Sequence, residues 1–166
     1  MKKNIPLTLI TILFVAILCQ SCNSGYVDLG LPSGTLWKTN DEKGGFFTYD
    51  DAVSQFGSQL PTKSQFQELI DHCTWTWTGK GCKVVGPNGK SITFRAKGHK
   101  GTARNSFSGF DGGKLSNVGR CGCYWSSTSN EWTKGDALAL IFGPTSEWLR
   151  ITTDDRRCGF SVRLVQ

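Results

Sequence analysis

Charge is scarce in this chain: Asp, Glu, Lys and Arg make up only 19% of its 166 residues. That excludes a highly charged disordered tail. Ala, Glu, Lys, Arg and Leu are also too few for a coiled coil. The only histidines are His72 and His99. There is no Gly-x-Ser-x-Gly elbow, no His-Glu-x-x-His helix and no Gly-x-x-x-x-Gly-Lys-Ser phosphate loop, so the common hydrolase, zinc-protease and nucleotide signatures are missing. The longest apolar run, residues 5–18, falls short of the roughly 20 residues that span a bilayer. What is abundant is 20 Gly, 6 Trp and 10 Phe, distributed among short apolar runs. This composition predicts one loop-rich domain containing strands.

The N-terminus places Lys2 and Lys3 ahead of the apolar run, as in the charged and hydrophobic regions of a secretory signal. Leu18-Cys19-Gln20-Ser21 followed by Cys22 resembles a bacterial lipobox, with Cys19 where Leu or Val is usual. The resemblance implies a lipoprotein signal peptide over residues 1–21. It also implies a diacylglycerol thioether on Cys22, a lipidated tether over 22–25 and a folded domain over 26–166. Two acyl chains anchor stably where one is marginal. The expected location is the bacterial cell envelope, as an outer-membrane lipoprotein. Cleavage removes Lys2 and Lys3 and lowers the formal charge of +6 by 2.

Of 7 cysteines, Cys19 and Cys22 belong to this leader, leaving Cys73, Cys82, Cys121, Cys123 and Cys158. An odd number in an exported chain leaves at least one thiol unpaired or bonded between molecules. Cys73 and Cys82 flank a Trp-rich segment and are candidates to close that loop. Cys121 and Cys123 share one face of a strand, and either could meet Cys158. Zinc sites usually show spaced pairs of Cys or His. Neither histidine offers one, so no metal or other cofactor is expected.

Local signals place strands at 26–29 and 35–38 around a Gly/Pro turn. A short helix begins after Thr48. The clearest helix follows Thr62, where Thr62 and Gln65 form a capping-box pattern. Phe66, Leu69, Ile70 and Cys73 then make its apolar face. Residues 74–78 alternate with period two, so Trp75 and Trp77 share a side. A hairpin joins 82–85 to 91–94 through Pro87-Asn88-Gly89. Residues 98–122 read as ordered loop. Further strands are expected at 123–126, 137–142, 147–151 and 159–165.

Several phrases occur together in order: Tyr26-Val27-Asp28-Leu29-Gly30-Leu31-Pro32-Ser33-Gly34-Thr35-Leu36-Trp37, Leu60-Pro61-Thr62-Lys63, Cys73-Thr74-Trp75-Thr76-Trp77, Gly86-Pro87-Asn88-Gly89, Tyr124-Trp125-Ser126-Ser127-Thr128 and Gly159-Phe160-Ser161-Val162-Arg163. From residue 26 onward the chain resembles envelope proteins carrying the Fibrobacter succinogenes major paralogous domain. That resemblance implies an α+β, C-type-lectin-like fold close to the formylglycine-generating enzymes: two helices packed on small twisted antiparallel sheets with long ordered loops, N- and C-terminal strands paired. Cys121, Cys123 and Cys158 do not fall in the paired-cysteine arrangement of those enzymes. Trp125-Ser126-Ser127-Thr128 lacks the acids of calcium-dependent lectins. The closing phrase is also similar to variable proteins of diversity-generating retroelements, whose diversified residues lie on solvent-facing loops. Arg120-Cys121-Gly122-Cys123 and Asp154-Asp155-Arg156-Arg157-Cys158 suit that origin.

The resulting expectation is a non-enzymatic adhesion or ligand-binding module for a glycan or protein, attached to the membrane through its lipid. Tyr124, Trp132 and Trp148 are the candidate aromatic contacts. Arg120, Glu131, Lys134, Arg150, Arg156 and Arg157 are the polar ones. Trp125 is expected in the core. A basic stretch, Lys80, Lys83, Lys90, Arg95, Lys97, Lys100 and Arg104, has no acid between Thr74 and Phe110 and would attract anionic partners. Nucleic acid is not an expected partner for an exported chain. The alternatives are an oxidoreductase related to formylglycine-generating enzymes and a structural pilus or surface subunit.

Overall fold

The computed structural model describes residues 25–101 and 113–166. Cys22, the leader and Arg104 lie outside the described residues. Among the described residues the architecture is α+β, with two α-helices and several small antiparallel sheets. No helix among the described residues is long and apolar enough to cross a membrane.

β1 (Tyr26–Asp28) pairs with β2 (Leu36–Lys38). Helix α1 (Tyr49–Phe56) begins at Thr48, whose side chain accepts from the Asp51 N–H at 3.2 Å. Helix α2 (Lys63–His72) begins with the expected capping box. Gln65 N–H donates to Thr62 Oγ1 at 3.2 Å, and Thr62 N–H donates to Gln65 Oε1 at 2.8 Å. Its Phe66 and Leu69 are fully buried.

A second sheet follows: β3 (Thr74–Trp77), β4 (Gly81–Val85) and β5 (Ser91–Arg95). Trp75 and Trp77 point inward and Thr74 and Thr76 outward, as the alternation predicts. The stretch expected as loop contains two short paired strands, β6 (His99–Lys100) and β7 (Leu115–Ser116).

The central sheet is β8 (Gly122–Ser129), β9 (Asp136–Phe142) and β10 (Arg150–Asp155), with β9 in the middle. Both of its faces are covered. One face sends Tyr124, Leu140 and Phe142 into a core shared with α2 and the β3–β5 sheet. The other sends Cys123, Trp125, Ala139 and Ile141 into a core with α1 and Phe160. Trp125 is buried as expected, stacked on Phe160 at 4.3 Å, with its Nε1–H donating to Phe47 O at 2.8 Å.

Two strand expectations are corrected. Residues 146–148 form a single 3-10 turn, and the strand starts at Arg150 rather than 147. Residues 159–165 make isolated bridges instead of one ladder, because they thread between several partners. Phe160 bridges Phe47, Ser161 bridges Tyr124 and Val165 bridges Trp37. The last of these lays the C-terminal segment along β2, with Leu36 N–H donating to Gln166 O at 2.8 Å.

Candidate functional site

The side chains expected to form one binding rim divide between the two ends of the central sheet. β8 and β9 pair from Gly122↔Phe142 at one end to Ser129↔Ala137 at the other. At about 3.3 Å per residue that separates the ends by roughly 20 Å. Glu131, Trp132 and Lys134 occupy the β8–β9 connection, and Arg156 and Arg157 follow β10 at the same end. Arg120, Trp148 and Arg150 belong to the opposite end. Trp148 is half-buried there, lying over Gly143, and Arg150 donates to Glu147 O at 2.8 Å.

Tyr124 belongs to neither end. The expectation that it contacts ligand is corrected, because its ring is fully buried between Phe94 and Phe142. Its hydroxyl lies 3.0 Å from both Asp41 Oδ1 and Arg95 O and accepts from the Arg95 N–H at 2.9 Å. Burial, and next the Asp41 charge, push its pKa up. From Gly122 to Ser126 both faces of β8 are interior, so alternation along that stretch exposes nothing.

At the Trp132 end the geometry is suited to a polar ligand with an apolar face. Asn130 Oδ1 accepts from the Trp132 N–H at 3.0 Å, which sets the tip of the connection. The indole is 94% exposed. A groove of about 320 Å³ runs beside it, lined by Lys63, Thr128, Asn130 and Glu131. An open cleft of about 640 Å³ adjoins, lined by Asp50, Lys134, Asp155, Arg156 and Arg157. Thr153 borders both. Arg157 is braced against Asp155, with Nε donating to Oδ1 at 2.9 Å.

Arg156 is committed to the fold. It pairs with Asp50, donates to Lys134 O at 3.3 Å and lies over the Tyr49 ring at 4.7 Å. Its backbone carbonyl accepts from the Tyr49 N–H at 2.8 Å. Arg156→Ala is therefore expected to lower stability by about 1 kcal/mol, chiefly through the lost cation–π and partly exposed ion pair. A urea melt checks this. An unchanged midpoint would show that α1 does not depend on the contact.

The basic stretch is spread over the β3–β5 sheet and its flanks. Lys83 and Arg95 are exposed, whereas Lys97 reaches inward to Asp41 Oδ2 at 2.9 Å. Lys100 lies 5.8 Å over the Phe46 ring.

No disulfide joins any two of the five described cysteines. Closure of a Cys73–Cys82 loop is ruled out by register. Cys82 sits opposite Trp77, while Cys73 precedes Thr74 at the other end of the ladder. Burial raises both thiols to about 11, which lowers their thiolate fraction at neutral pH. Cys121, Cys123 and Cys158 are fully buried. The expectation that they belong to diversified, solvent-facing loops is corrected accordingly.

Folding instead gathers a cluster that sequence spacing does not reveal. Gly98 N–H donates to Cys121 O at 2.8 Å, and Lys100 N–H donates to Gly159 O at 2.9 Å. Between these two bonds sits His99, itself fully buried. Its Nδ1 lies 4.0 Å from Cys121 Sγ and 4.0 Å from Cys123 Sγ, and the two sulfurs are 3.9 Å apart. The Cys123 thiol, and then His99, favour the ionised form of Cys121 and lower its pKa. Cys123 is correspondingly raised by Cys121, then by burial. Beside it, Cys158 Sγ donates to Asp154 Oδ1 at 3.4 Å, and burial raises the Asp154 pKa. Among the described residues, His99, Cys121 and Cys123 are a group whose donor atoms are close enough to hold a metal ion.

Comparison with family models, with curated proteins and with solved structures finds no match to this chain.

Proposed function

We propose that this chain is a non-enzymatic carbohydrate-binding module of the bacterial cell envelope, tethered through a lipid on Cys22 and built on a C-type-lectin-like scaffold. The observation that carries the reading is Trp132, an indole 94% exposed beside two polar clefts. A sugar ring has an apolar C–H face and a rim of hydroxyls. An indole platform supports the face, and Glu131, Lys134, Arg157 and Thr153 offer acceptors and donors to the rim. Tryptophan is among the residues enriched at binding hot spots. The short tether supports display close to a membrane, and the leader-like run supports export.

A glycan array followed by calorimetric titration tests the reading. Trp132→Ala is expected to weaken binding by about 2 kcal/mol, or roughly thirtyfold. Trp148→Ala and Arg150→Ala, at the far end of the sheet, should leave affinity unchanged. Equal affinity for wild type and Trp132→Ala would sink the proposal, as would an array with no bound glycan.

A further inference from the structure

We propose that His99 Nδ1, Cys121 Sγ and Cys123 Sγ form a buried binding site for one zinc ion. The inference is independent of the carbohydrate reading.

Zinc bonds of about 2.3 Å to sulfur and 2.0–2.1 Å to nitrogen, in tetrahedral arrangement, place the donors about 3.5–3.8 Å apart. The observed separations of 3.9, 4.0 and 4.0 Å need to close by only a few tenths. The donors come from elements that packing fixes. Cys121 immediately precedes β8 and Cys123 lies two positions on within it, and their sulfurs emerge on one side, 3.9 Å apart. The hydrogen bonds of Gly98 and Lys100 clamp His99 from both sides. Glycines flank the donors where neighbouring atoms leave no room for a side chain. A Cβ on Gly98 would lie 2.0 Å from Ser116 O, and one on Gly122 would lie 2.2 Å from Phe142 Cζ.

The donor chemistry favours a borderline-soft ion: two thiolates and an imidazole suit zinc, not calcium or magnesium. A disulfide is a poor competitor. Two residues along extended strand separate the Cα atoms by about 6.6 Å, at the upper edge of disulfide geometry. Among the described residues no fourth His, Cys, Asp or Glu joins the trio at this spacing.

The test uses the full chain, purified in detergent with reductant and stripped by chelator. Cobalt titration should show one ion per chain, with a thiolate-to-cobalt charge-transfer band that zinc abolishes. Cys121→Ser and His99→Ala should each weaken binding by more than about a hundredfold, beyond the loss typical of outer-sphere changes. Cys73→Ser should bind like wild type. A second measurement needs no variant: zinc should slow alkylation of Cys121 and Cys123 at least about tenfold while leaving Cys73 unchanged, since a ligated thiolate is masked. Absence of the charge-transfer band, full affinity in a Cys121→Ser/Cys123→Ser double variant, equal alkylation with and without zinc, or a Cys121–Cys123 disulfide in the isolated protein would each overturn the site.

Discussion

Asp41→Ala is expected to cost about 3–5 kcal/mol of folding stability, the range for breaking one side of a buried ion pair. Asp41 and Arg163 have side chains only 3% and 1% exposed, and Arg163 Nη2 lies 2.5 Å from Asp41 Oδ1. Lys97 Nζ adds a charge contact to Oδ2 at 2.9 Å, without hydrogen-bond alignment. Removal of the carboxylate leaves Arg163 as a buried cation without its counter-charge, while Lys97 can turn to solvent and the Tyr124 hydroxyl keeps Arg95 O. A domain of this size typically has about 5–15 kcal/mol in hand, so the variant would be partly unfolded or insoluble at 37 °C.

Urea denaturation of the two proteins measures the loss directly. A more telling comparison is Asp41→Leu/Arg163→Met. Replacing an isolated buried pair by apolar residues is often neutral. Here it should remain destabilising, because Arg163 also donates to Lys38 O and Thr39 O at 2.8 Å and to Thr93 O at 2.7 Å. Three partly buried carbonyls would lose a charged donor, at about 1 kcal/mol or more each. A double variant as stable as wild type would show that the charge pair, rather than the carbonyl contacts, dominates this node.

Gly98→Ala is expected to lose about 3 kcal/mol or more. Gly98 has φ +72°, a left-handed conformation that costs a non-glycine residue about 1–2 kcal/mol. Its Cβ would also lie 2.0 Å from Ser116 O and 2.8 Å from Val118 N. These are backbone atoms and cannot rotate aside, so overpacking adds about 1–3 kcal/mol. Gly45→Ala separates the two contributions: Gly45 has φ +86° with nothing within 4 Å of its Cβ, and only the conformational cost should appear. Thermal melts of both variants make the comparison. Equal losses would mean that β6 and the 116–118 segment give way easily.

What the residues disclosed in advance was local. The Thr62–Gln65 capping box, the Pro87-Asn88-Gly89 hairpin and the inward side of Trp75 and Trp77 each follow from rules spanning a few residues, and each stands in the structure. Misreadings came where tertiary context decides. Tyr124 and Trp125 lie on opposite faces of β8, and a one-sided sheet would expose one of them; Phe94 of β5 covers the first, and Phe160 stacks on the second. The rim from Arg120 to Arg157 is continuous in sequence, but three antiparallel strands carry its members to opposite ends. The His99 cluster was illegible for a related reason. Its histidine reaches the cysteines through inter-strand bridges at Gly98 and Lys100, not through any short spacing. The signal available was weaker: two cysteines on one strand face, with a histidine among glycines nearby in the chain.

Phe160 to Val165 are buried, and this stretch joins residues more than a hundred positions earlier, at Trp37 and Phe47, to β8. A chain emerging from the ribosome therefore holds its first strands and helix without a closing partner until the final stretch has been made. Such late, distant closure slows folding. A polypeptide that stays unsealed during synthesis also remains threadable, as the export proposed above would require.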